Sequence, residues 1–173
     1  MLDATPFMLD EARRQRQSVG DERTLLTAFL DFQRDTLLSK VTGLTREQLV
    51  EPRTPSGMCL LGLVKHLAYV ERNWFRIRFL HEPLTVPWRD GDPNGDFRIE
   101  RDETPESVLA FYRSEIDESR RIVEEAASLE QLAAHPERQV TLRWILIHMI
   151  EETARHCGHA DVMREFTDGQ TGE

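Results

Sequence analysis

Apolar residues recur at spacings of three and four in four separate stretches of the chain, and no stretch alternates with the two-residue period of a strand. The first runs from 22 to about 41, with Leu25, Phe29, Phe32 and Thr36 on one stripe and Leu26, Leu30 and Leu37 beside it. Asp21 is placed to cap its start and Gly43 to stop it. The second runs from about 58 to 80 and carries Leu60, Leu63, Val64, Leu67, Val70, Trp74 and Ile77 on a wide apolar face. Thr104-Pro105-Glu106 opens the third, a capping hydroxyl followed by proline at the first helical position. Its leaner stripe is Val108, Tyr112, Ile116, Ser119, Val123 and Ala126, and it ends near 127. Thr141 caps the fourth, which ends near Phe166.

The connections are as informative as the helices. Thr45-Arg46-Glu47-Gln48 has the form of a capping box and predicts a short helical turn, before Pro52, Pro55 and Gly57 impose irregular chain. Between the second and third helices, residues 82–103 hold Pro83, Pro87, Gly91, Pro93 and Gly95, which predicts a long connection without regular helix. Asp90, Asp92 and Asp96 give it the composition of a calcium loop, but the position that needs a bidentate glutamate is Arg101. These acids read as solvated turn formers. Four helices with one connection long enough to carry helix three back parallel to helix two predict an all-α four-helix bundle, up-down-down-up, with a long crossover between helices two and three. Residues up to about 19 are polar and arginine-rich and predict a loosely attached arm with a short helical turn near 7–12; the whole chain reads as a single domain.

The 173 residues suffice for a core without staples. A net charge of -9 argues against nucleic acid and against an anionic membrane face as partners. Acidic residues near the start leave no apolar signal core, and runs such as MCLLGLV are too short to span a bilayer, so a cytoplasmic protein is expected. Cys59 and Cys157 form no spaced motif and read as free thiols whose role is packing.

Candidate chemistry concentrates on the fourth helix, whose seam runs Leu142, Ile145, Met149, Glu152, His156, His159, Met163. The seam starts apolar and turns ionisable halfway. Glu152 and His156 are one turn apart on one face, with Cβ atoms about 6 Å apart, so both can reach one point. Such a pair can grip a metal ion. From the residues alone, a buried polar pair that only fixes helix register accounts for it equally well. His148 with Glu152 is a rival pair, whereas His148 and His156 are about 12 Å apart along the axis, too far to share one ion. On the second helix His66 stands alone at the edge of the apolar face, where a histidine is usually a hydrogen-bonded core residue.

Taken together, LLGLVKHLAYVERNWF on helix two and LRWILIHMIEETARHCGHADVMRE on helix four resemble the DinB superfamily of small metal-binding helical bundles. VTGLTREQL and PSGMCLLGLVKH resemble its actinobacterial branch, and the likeness extends from about residue 21 to the end. The resemblance implies a first metal ligand at His66, in VKHLAYVE. It implies two more on the last helix, where the superfamily commonly has His-x-x-x-His followed by glycine. The matching positions here are Glu152 and His156, with Gly158 in the expected place. Glutamate in the first of these positions is similar to the mycothiol-dependent maleylpyruvate isomerases. Met58-Cys59 departs from the many relatives that place a tryptophan after Ser-Gly.

Two imidazoles and one carboxylate suit a divalent ion, zinc foremost, with nickel, iron or manganese as alternatives, and three ligands leave positions open. The resemblance implies a low-molecular-weight thiol such as mycothiol as cosubstrate and an electrophilic small molecule as its partner, in S-transfer or isomerisation. His159 or His148 is then a candidate proton carrier. Two other readings stand: a hydrolase using metal-activated water with Glu71 or Glu151 as base, and a non-catalytic metal-binding protein that forms a homodimer.

Overall fold

The computed structural model describes residues 17–137 and 139–171; the helical turn expected near residues 7–12 lies outside the described residues. The elements are α1 (Glu22–Val41), α2 (Arg46–Val50), α3 (Leu60–Glu71), α4 (Pro105–Glu125) and α5 (Leu142–Asp168), with a π-helical segment at Arg72–Phe79 continuing α3 and a 3-10 turn at Pro87–Arg89. The protein is all-α: among the described residues the β pairing is confined to one isolated bridge, Leu132 with Thr141.

The helix starts form where capping chemistry puts them. Asp21 accepts from the Thr24 N–H at 2.8 Å, Thr141 accepts from the Trp144 N–H, and Thr45 with Gln48 and Thr104 with Ser107 close reciprocal capping boxes. Each cap satisfies an N–H that the helix itself leaves unbonded, worth about 1 kcal/mol. Gly169, at φ 78°, ends α5 in the left-handed conformation with its N–H on the Glu165 carbonyl.

Cross-helix pairs fix which helices lie together and how they run. Arg143 at the start of α5 bonds Glu22 at the start of α1, and Lys40 near the end of α1 meets Asp161 at 2.8 Å, so α1 and α5 run the same way. Lys65 and Glu71 of α3 and Arg72 just after it meet in turn Glu103 just before α4, then Ser119 and Glu115 within it, so α3 and α4 are also parallel. Opposite polarity holds between α3 and α5, where His66 meets His156 and Trp74 meets Trp144. α3 is the most enclosed element: Leu61, Leu63, Val64, Leu67 and Ala68 are fully buried, against Tyr112 of α4 and Ile145, Leu146 and Met149 of α5 in the common core.

Two departures from the sequence pattern are informative. The second helix is not α-helical to residue 80, since Arg72–Phe79 makes the wider π turn, as in the 3.1 Å bond from Leu80 N–H to the Phe75 carbonyl. This segment is packed on more than one side: Trp74, Phe75, Ile77 and Phe79 are buried while Arg72 and Arg76 both reach Glu115. Enclosure on several sides leaves no single apolar stripe from which the period can be read. The second departure is the rotation of α1. Its buried line is Leu30, Arg34, Leu37, Leu38 and Val41, whereas Phe29 is 38% exposed and Leu25 and Phe32 are only partly covered. The helix is turned by about one residue, roughly 100°, from the Leu25, Phe29, Phe32, Thr36 stripe.

The cause of that rotation is Arg34. Its guanidinium bonds both oxygens of Glu71 at 2.7 Å each, Ser119 donates to the same carboxylate at 2.7 Å, and Asp31 takes the remaining side of the guanidinium. Arg34 and Glu71 are both buried, and the carboxylates beside Arg34 outweigh its desolvation and hold its pKa above the ordinary value. Removing one member leaves the other charge buried and uncompensated. Glu71→Ala is therefore expected to lower the unfolding free energy by about 3–5 kcal/mol, and Asp31→Ala, at a partly exposed ion pair, by about 1 kcal/mol or less; urea denaturation of the two variants checks the contrast.

Candidate metal centre

Helix α5 presents Glu152 and His156 one turn apart, and the opposed helix α3 brings His66 across to them. Ligand atoms of the three residues all lie within 4.8 Å of one another, so the cluster can hold a metal ion. The two imidazoles approach one atom: the Nε2 of His66 is 3.5 Å, and the Nε2 of His156 3.3 Å, from Oε1 of Glu152. Charge-assisted hydrogen bonds are normally about 2.7–2.9 Å. Two ligands each about 2.0–2.1 Å from a tetrahedral ion are about 3.3 Å apart. Both His–Glu152 separations match those of neighbouring ligands, and with all three ligand atoms within 4.8 Å the donor set could hold a divalent ion.

The outer nitrogens are partnered as well. His66 Nδ1 is 2.6 Å from Oδ2 of Asp96, and His156 Nδ1 is 3.4 Å from Nδ1 of His159. Because a carboxylate can only accept, the neutral His66 ring carries its proton on Nδ1 and leaves the Nε2 lone pair facing Glu152. Phe97 covers one face of His66, stacked at 4.1 Å between centroids and 12° between planes. Hydrogen bonds from His156 and His66 hold the Glu152 carboxyl far below the usual carboxylate range. For His66, burial alone lowers the pKa, but the bonds to Asp96 and Glu152 outweigh it and raise the imidazole above its ordinary value.

The candidate residues separate cleanly in space. His66, Glu152 and His156 come together, and exposed His159 stands at the outer nitrogen of His156. His148 goes elsewhere: its ring stacks on Trp144 and meets Trp74 edge-on at 4.6 Å, so α5's aromatic neighbours, not Glu152, determine its place. Asp96 corrects the reading of the long connection's acids as solvated. It is only 2% exposed and bonded to His66, although Asp92 on the same loop does pair with Arg98 near solvent. The available sequence signal for Asp96 was Gly62, since an isolated glycine inside a helical run marks close approach of another chain segment. A Cβ there would collide with the carbonyl oxygen of Phe97, the residue after Asp96. Both cysteines are buried and free; burial raises the Cys59 thiol above its ordinary value and pushes Cys157 up to about 12.

The model of one protein family, Mycothiol-S-transferase, matches residues 25–169, a span that holds all five helices except the first residues of α1. The chain belongs to this family. The match places it within the DinB-like superfamily, as the motifs of helices two and four implied. A search of curated proteins found no match. No described helix is long and apolar enough to cross a membrane.

The raised pKa of His66 has a definite sign in the metal-free protein. Stability from the protonated ring is fully present below the unfolded imidazole value, about 6.5, and is lost as pH rises through the folded value. The metal-free chain, held in chelator, is expected to lose melting temperature on going from pH 6 upward more steeply than His66→Gln, as thermal melts across that window can show.

Proposed function

We propose that this chain is a metal-dependent S-transferase that joins a low-molecular-weight thiol of the mycothiol type to an electrophilic small molecule, with His66, Glu152 and His156 holding a divalent ion, zinc foremost. The observation that carries this reading is the approach of two imidazole Nε2 atoms to one glutamate oxygen at ligand-to-ligand spacing, in a chain of the mycothiol S-transferase family. The parallel pairs α1 with α5 and α3 with α4, and the opposition of α3 to α5, support a four-helix bundle in up-down-down-up order whose crossover is the segment carrying Asp96.

A bound divalent ion supplies positive charge that favours the thiolate form of a thiol at neutral pH. The residues set how much of that charge survives. Two neutral imidazole nitrogens and one carboxylate cancel only part of it, whereas an all-carboxylate or all-thiolate site would cancel the whole. Glu152 remains ionised throughout the neutral range because His156 and His66 stabilise its charge. Because Nε2 of His156 is taken up as a ligand, a proton cannot cross that ring, so the thiol's proton would go directly to exposed His159 or to solvent. Nδ1 of His159, 3.4 Å from Nδ1 of His156, helps to orient the His156 ring. The sulfur electron pair then forms the bond to carbon while the acceptor's leaving group departs with its own pair.

The bases that a hydrolase would need are engaged elsewhere. Glu71 is consumed by Arg34 and Ser119 in the core, and Glu151 is exposed and bonded to Arg155. A thiol nucleophile, which needs no such base, suits the site better.

Elemental analysis of protein purified without added metal, with melts in the presence and absence of mycothiol, tests the proposal. About one divalent ion per chain is expected, lost in His66→Ala and His156→Ala, with mycothiol stabilising the loaded protein by about 2.7 kcal/mol at a hundredfold excess over its Kd. Full metal retention in either variant would remove the triad, and metal without any response to mycothiol would overturn the S-transferase reading in favour of a hydrolase or a non-catalytic metal-binding protein.

A further inference from the structure

Asp96 is difficult to explain as a purely structural residue. A carboxylate taken out of water costs several kcal/mol unless its oxygens are bonded. Here Oδ2 is 2.6 Å from His66 Nδ1, whereas the buried Oδ1 has no hydrogen-bond donor among the described residues.

Its surroundings form a fixture for one ring. Three consecutive residues of the connection are each tied to α3: Asp96 bonds the edge of His66, Phe97 stacks on its face, and the Arg98 carbonyl accepts from the buried Lys65 ammonium at 2.7 Å. Gly62, one turn before His66, provides the room for this approach, because a side chain there would strike the Phe97 carbonyl oxygen. The edge bond selects the tautomer and the stacked face limits rotation of the ring. Together they direct His66 Nε2 at the oxygen it shares with His156.

We infer that Asp96 is a positioning residue for metal affinity, and that Gly62 and Phe97 are parts of the same clamp on His66. The inference rests on the ligand role of His66 proposed above. Glu152 and His156 share one helix, which fixes the spacing of their Cβ atoms, and His156 has His159 beside its outer nitrogen. His66 comes from a different helix with a ring free to turn about two bonds, so it is the ligand whose aim needs outside support. The clamp supplies it from the connecting segment: Asp96 bonds His66, and Phe97 stacks on His66 at 4.1 Å while lying farther, at 6.3 Å, from the His156 ring.

The test is Co(II) binding to the full chain, read as affinity by chelator competition and as the visible ligand-field spectrum, both independent of catalysis. Asp96→Ala is expected to keep one site per chain but bind 10–100-fold more weakly, with an altered spectrum. Asp96→Asn, which retains an oxygen to accept the Nδ1 proton, falls between the alanine variant and the parent. Gly62→Ala weakens binding in the same way without changing any group at the site. Its combination with Asp96→Ala is less than additive, as expected for two changes to one device. Parental affinity and spectrum in Asp96→Ala, or in Gly62→Ala should the first variant not fold, would overturn the clamp while leaving the triad standing. Failure of the parent chain to bind Co(II) would instead overturn the triad, and the clamp with it.

Discussion

A guanidinium and a carboxylate buried together where α1, α3 and α4 meet determine the level at which the helices can engage. Arg34, Glu71 and Ser119 come from those three elements in turn; moving α1 or α3 along its axis would strand a charge in the core, and moving α4 would cost Glu71 a hydrogen bond. Glu71 follows His66 by little more than one turn of the same helix, so the bond that holds α1 against α3 also sets the height of His66. α1 in turn carries α5: Arg143 bonds Glu22 at one end, and Lys40 meets Asp161 while Arg164 donates to the Lys40 and Thr42 carbonyls at the other. The opposition of Glu152 and His156 to His66 thus descends from an ion pair elsewhere in the core. Buried pairs of this kind add little net stability but exclude alternative registers, which suits a site assembled from two helices.

Where local chemistry decides, the sequence was legible. The capping residues Asp21, Thr45, Thr104 and Thr141 each start a helix, and the glycine and proline content of residues 82–103 yields a connection with a single 3-10 turn. Where tertiary contact decides, it was not. Nothing near Arg34 indicates that a charged side chain belongs inside, because its partner lies 37 residues away. The π turns after α3 are hidden for a similar reason, since residues packed on several sides have no stripe to count.

The centre divides along the same line. Glu152 and His156 were visible because helical spacing alone places them together, and His66 joined them through the family motif. Asp96 was obscured by its setting among turn-forming acids, where composition argues for solvent. Its neighbour Asp92 does follow that rule. The two aspartates differ in exposure because one lies where Gly62 lets the chain descend onto α3, and the other lies beyond it.

The burial of the two cysteines acquires another meaning beside the proposed thiol-binding centre. Cys59 Sγ accepts from the Gly62 N–H within the core, and Cys157 faces the Gln33 carbonyl between α5 and α1. With both held as neutral thiols by burial, the protein offers no competing sulfur of its own. An electrophile at the surface meets no protein thiolate to alkylate, and an oxidised small thiol finds no partner for a mixed disulfide. The fold keeps its own sulfur out of reach, which is what the proposed transfer from a diffusible thiol requires.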